Sequence, residues 1–247
     1  MHFDRSFYRT AAICSVVSAV TTLLLIFLPD LYAPVEGFEG RMSRVNDPAY
    51  ALRSWVYLVH PFIVLTAALG IAMRIRRAAS AAAVIGLLGF VLWAFTEAGQ
   101  QTLTLLAFDK WRAAFATADA AMRAQIEAHT FMYDALWDAM YFLLLIGFAI
   151  GNLSFGVTFL KHKGLTRIVG GFFVAGCLLT VTYMLGEFQV HVVPDALADW
   201  VYPAIQPLGR TLIGVWLWRN ADETLDLRHS RESGSPSSQD GFPLSRE

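Results

Sequence analysis

Asp134 and Asp138 stand four residues apart in the stretch HTFMYDALWDAM, which opens a run apolar enough to dissolve in lipid. Residues four apart share a helix face. Two carboxylates so placed can split into an acid and a base when burial or charge separates their pKa values, or can relay protons through a membrane. Two further doublets have the same spacing, Glu97 with Gln101 and Gln206 with Arg210. His60 adds an imidazole and is followed at once by Pro61, while Pro203 and Pro207 flank Gln206. A proline inside a helix frees the carbonyl one turn earlier, and that carbonyl can hold a ligand, a cation or a water.

Other chemistry has less support. His60, His129, Glu97, Asp134 and Asp138 are ligand types suited to zinc or iron. The chain has no HExxH or Glu-x-x-His motif, however, and His129 and Asp134 are five apart, off a common face. No metal is assigned and no cofactor is identifiable. A GxSxG nucleophile elbow is absent, as is a CxxC motif. Cys14 and Cys177 lie in separate apolar runs and read as inert thiols. With a net charge of -1, no basic stripe and no phosphate-cradling loop, the chain is not expected to bind nucleic acid.

The elements that must carry these side chains are membrane-grade helices. Hydrophobic residues make up 56% of the 247, and charged residues only 16%. A soluble domain carries about 25% charge. Six apolar segments are visible: Thr10–Leu28, Ser54–Met73, Ala79–Phe108, Phe131–Leu160, Ile168–Gly186 and Trp200–Trp218. Each approaches or exceeds the ~20 residues a helix needs to cross the hydrocarbon. The first is too long for a signal-peptide core and lacks a cleavage site, so it is read as an anchor. The fold expected is all-α, a polytopic bundle of six transmembrane helices over residues 1–220. Residues 221–247, rich in Ser, Gly, Pro and charge, are expected to form a disordered tail.

Orientation follows from Lys and Arg in the flanks. Twelve fall at the N-terminus, in the second-to-third and fourth-to-fifth connections and in the tail, against six in the remaining connections. Both termini are therefore expected in the cytoplasm, and the protein in a bacterial inner membrane. This orientation puts almost every ionisable residue within the spans in the outer half. The three doublets are expected to converge there with His60, and Arg210 to neutralise Glu97 or Asp138. The third and fourth helices look too long for the bilayer, which makes the polar site an outward-facing vestibule with Arg210 at its floor.

Two stretches carry a family resemblance. LSFGVTFLKHKGLTRIVGGFFVAGC resembles the fourth-to-fifth hairpin of a bacterial family of six-helix integral membrane proteins of unknown function, and YPAIQPLGRTLIGVWLWRN resembles that family's last helix. The resemblance covers the C-terminal part of the chain. It departs at Thr166, where the family usually has Pro before the Arg, and at Arg210, where an acidic residue is usual. The family implies a six-helix fold and supplies no activity.

The reading is a membrane protein whose vestibule binds or passes a small polar or amphipathic ligand, through His60, Glu97, Gln101, Asp134, Asp138, Gln206 and Arg210. A membrane-embedded enzyme acting on a lipid or quinone head group, with Asp134 or Asp138 as base, is the rival, so enzyme activity is left open. A structural or accessory subunit locked by a salt-bridge network is the third reading. The bilayer is the partner composition demands; a small-molecule ligand and a second copy of the chain, as a homo-oligomer, are the others admitted.

Overall fold

Helix signals recur along the chain at the places where capping chemistry is available. The computed structural model describes residues 3–190 and 192–222; beyond Asp222, the expected disordered tail lies outside the described residues. The helices are α1 (Arg5–Phe27), α2 (Gly37–Ser43), α3 (Pro48–Ile75), α4 (Ser80–Leu103), α5 (Asp109–Phe115), α6 (Ala120–Phe159), α7 (Gly164–Gly186) and α8 (Asp195–Arg219). A π-helical turn, Thr104–Phe108, joins α4 to α5 without a break. No strand occurs among the described residues. Aspartates start three of the long helices. Asp4 accepts from the Phe7 N–H, Asp47 from those of Ala49 and Tyr50, and Asp119 from that of Met122. Each satisfies amides that a helix start leaves orphaned. Pro48 follows Asp47 at the first helical position, where its missing N–H costs nothing.

Among the described residues, five elements are long and apolar enough to cross a membrane: α1, α3, the rod from α4 through α5, α6 and α7. The helix α8 is 25 residues long but is not among those five. It is the long helix with two internal prolines and the Gln206/Arg210 doublet. Consecutive long helices pack as neighbours, α1 on α3, α3 on α4, α4 on α6, α6 on α7 and α7 on α8. Contact of α8 with α1 closes the ring. That closing pair is antiparallel. The Ser15 hydroxyl donates to the Arg210 carbonyl at 2.6 Å, Arg9 lies over Trp218, and Arg5 pairs with Asp222 at 2.7 Å. Arg5 and Asp222 therefore sit at the same end of the bundle.

The seam between α4 and α6 is built from glycine. A Cβ at Gly89 would fall 2.5 Å from the Gly151 nitrogen and 2.7 Å from the Gly147 oxygen. The backbones meet there as they do in tight membrane helix pairs. Phe90, Phe155, Phe173 and Trp216 fill the space beside the seam as one buried cluster.

Both long rods outrun a bilayer, as the sequence suggests. The α4–α5 rod has 36 residues and α6 has 40; at 1.5 Å per residue these are about 54 and 60 Å, against about 30 Å of hydrocarbon. The excess forms a second, smaller core in which Met42, Phe108, Phe115 and Ile126 are buried. The segment between α1 and α3 folds onto it. That segment is held by Arg41 to Asp134 and by Glu39 to Arg123, the latter at 3.1 Å. It is a cap with its own packing.

Candidate functional site

The ring of helices encloses a cavity of about 810 Å³, and all six long helices contribute to its wall. Drug-sized ligand sites occupy about 300–1,000 Å³. Its lining follows helical stripes. On α6 the cavity face is Tyr133, Trp137, Tyr141, Leu144, Leu145, Phe148 and Asn152; on α3 it is Tyr50, Ser54, Tyr57, His60, Val64 and Ile71; on α1 it is Ser15, Ser18 and Thr22. The wall divides into three levels. Under the cap stand Arg41, Tyr50, Arg112, Tyr133 and Asp134. In the middle stand His60, Glu97, Gln101, Gln206 and Arg210. Toward the other end, Val64, Ala67, Ile71, Phe90, Leu145 and Phe173 make the wall mostly apolar, and the polar side chains there, Ser15, Ser18 and Asn152, donate to backbone carbonyls.

At the cap the charges are matched. Arg41 grips Asp134 with both guanidinium nitrogens, at 2.8 and 2.5 Å. That hydrogen-bonded carboxylate raises the Arg41 pKa above its ordinary value. The fork matches carboxylate geometry, which is why arginine suits such a clamp. Arg112 donates to Asp109 at 2.9 Å and to the Tyr50 hydroxyl, and lies over the rings of Phe108 and Tyr50. The Thr104 hydroxyl, on the π turn, meets the Tyr133 hydroxyl at 2.7 Å, and Phe108 stacks on Tyr133.

At the middle level the charges are not matched. Arg210 is 8% exposed and Glu97 7%. Nη2 of Arg210 donates to Gln206 at 3.1 Å, while its Nη1 has no hydrogen-bond partner among the described residues. Its guanidinium carbon lies 5.9 Å from the centre of the Trp93 ring. Arg210 and Glu97 line the same level of the cavity, but the ion pairs among the described residues do not include this one. His60 is buried, with Nδ1 at 2.7 Å from the Thr21 hydroxyl and its ring edge-on to Trp93. Gln100 reaches across the seam and donates to the Trp137 carbonyl at 3.0 Å.

The expected convergence of doublets is therefore partly corrected. His60, Glu97, Gln101, Gln206, Arg210 and Asp134 line one cavity, but Asp138 is exposed and off its wall. The cause is angular. The cavity face of α6 is the 133–137–141 stripe, and each aspartate stands one residue, about 100°, past it. Asp134 lies on the shoulder beside the cap and is taken by Arg41. Asp138, one turn further on, has no cap above it. Arg210 forms no ion pair with either Glu97 or Asp138. His129 is exposed, its ring 5.7 Å from that of Trp111. No three His, Cys, Asp or Glu groups converge as a metal site among the described residues.

Several wall residues escaped the reading from spacing. Tyr57, Trp93, Gln100 and Tyr141 extend the stripes that His60, Glu97 and Tyr133 begin, and a search for four-residue periodicity of aromatic and polar positions finds them. Arg41 had no such signal, because its partner lies 93 positions away. Comparison with protein-family models, curated proteins and solved structures gives no match to this chain.

Proposed function

We propose that the protein is a membrane-embedded binding protein, or passage, for an amphipathic molecule. The observation that carries this is the cavity's asymmetry. One continuous space has an apolar chamber at one end and buried, under-satisfied polar groups at mid-depth. An intramembrane arginine is costly and normally faces a partner, a cavity or water. A molecule with an alkyl tail and a polar head fits such a wall at both levels. In this reading α8 is the sixth span, and both termini lie in the cytoplasm of a bacterium, with the capped mouth facing outward. The excess of Lys and Arg at the Arg5 end supports that orientation. The resemblance of the last hairpin and helix to the six-helix bacterial family agrees with this arrangement.

The test is uptake of monododecylglycerol, a neutral tailed probe, by the purified protein in maltoside detergent, followed by native mass spectrometry. The wild type binds the probe, and Ala67→Phe, which fills the apolar chamber, weakens binding by roughly tenfold or more. A wild type that takes up no probe, or a filled variant that binds equally well, overturns the proposal.

A further inference from the structure

Two opposite charges line the middle of the cavity and do not pair with each other. Arg210 is held back by Gln206 and by the Trp93 ring. Glu97 makes no hydrogen bond and no ion pair among the described residues. Arg210 sits against Trp93, which precedes Glu97 by four positions on α4, about 6 Å along the axis. The apolar chamber lies beyond Trp93, on the side away from Glu97, because Phe90 and Ala67 belong to that end. Going from the chamber toward the cap, the wall thus presents apolar surface, then a cation, then an anion, and beyond these Arg53, which donates to the Leu25 carbonyl at 3.1 Å and to the Tyr57 hydroxyl at 3.4 Å.

We infer that the head group held here is zwitterionic and ordered: a tail in the chamber, an anionic group next to it on Arg210, and a cationic amine nearest the cap on Glu97. This rests on the proposed reading of the cavity as an amphiphile site. An anionic amphiphile satisfies Arg210 and is repelled by Glu97. A cationic one has the reverse fault, and a neutral one leaves both charges buried without partners. A head with the charges in the opposite order meets like charge at both levels. The chemical class is that of a phosphate diester or monoester with a terminal amine, as in an aminophospholipid or its single-chain relatives.

The decisive comparison uses two twelve-carbon probes of equal net charge below their micellar concentrations, dodecylphosphocholine and dodecyl sulfobetaine. Their charges run in opposite orders from the tail. Native mass spectrometry of the full chain in maltoside is expected to show the phosphocholine binding roughly tenfold or more tighter, the size of one charge-assisted contact. Glu97→Gln and Arg210→Gln are each expected to erase that preference, and an unchanged melting transition of the ligand-free variants reports that they are folded. Equal affinity for the two orders overturns the inference. So does dodecyl phosphate binding as tightly as the phosphocholine, or a preference that survives both substitutions. In those cases continued binding of monododecylglycerol leaves the amphiphile reading standing. If no tailed probe binds the wild type, both fall together. The comparison of the two orders needs no variant, so a substitution that fails to fold does not rescue the idea.

Discussion

The cap and the middle of the cavity lie about ten residues apart along α3, from Tyr50 to His60, yet they treat charge in opposite ways. In the cap, Arg41 has Asp134, Arg123 has Glu39, and Arg112 has both Asp109 and Tyr50. In the middle, Arg210 has one amide oxygen and the face of a ring, and the Glu97 carboxylate has no hydrogen bond or ion pair among the described residues. The cap is the wetter region, where leaving a charge unpaired costs less. The middle is the drier one, where it costs more. The arrangement is thus the reverse of what stability alone would favour. Charges of the cap are matched within the chain, and under the proposed function those left unmatched at mid-depth are held for a ligand.

Thermal stability of ligand-free variants can break or sharpen that contrast. Arg112→Met should give the largest loss, about 3 kcal/mol, because the guanidinium is 6% exposed, anchors two partners and leaves Asp109 stranded in the smaller core. Gly89→Ala follows, at about 1–3 kcal/mol, since its Cβ would collide with the backbone of α6 rather than with a flexible side chain. Arg210→Gln should stay within about 1 kcal/mol of the wild type, as removing an under-satisfied buried charge also removes its desolvation cost. A loss as large as that of Arg112→Met would mean that Arg210 is a structural charge after all. Arg41→Ala should cost less still, about 0.2–1 kcal/mol, because both partners of its clamp are 40% exposed. Melting in graded salt should shrink that difference and leave the Arg112 effect in place.

The smallest effect is one of pH. Asp47 accepts backbone N–H groups from Ala33 at 2.8 Å, Tyr50 at 3.2 Å and Ala49 at 2.8 Å, and these hold its carboxyl below the usual aspartate range. A depressed folded-state pKa contributes stability above the unfolded value and loses it as pH falls through the folded one. The gap in melting temperature between wild type and Asp47→Ala should therefore be flat near neutrality and close as pH drops below about 4. A gap that stays constant down to the acid limit would assign Asp47 a purely conformational role at the start of α3.

The long apolar runs, the excess length of the α4–α5 rod and of α6, and the polar residues gathered at one level were all legible in the chain. Each is a matter of composition, or of the periodicity of one helix. Hydrophobic runs of this length have to be helices in lipid, because no other open segment satisfies its own backbone there. The same logic made Glu97, Gln101, Gln206 and Arg210 candidates for one site, and they do line one cavity. Local spacing could not decide what each of them meets. The pairing of Arg41 with Asp134, the exposure of Asp138 and the gap between Arg210 and Glu97 depend on how far each helix is rotated about its axis. That rotation is set by contacts between segments distant in sequence: Gly89 against Gly147 and Gly151, Ser15 against the Arg210 carbonyl, and Met42 in the small core. A shift of one residue turns a side chain by about 100°. The sequence by itself therefore determined which residues occupy the polar level, and the packing of the ring decided which of them face the cavity and which are left there without a partner.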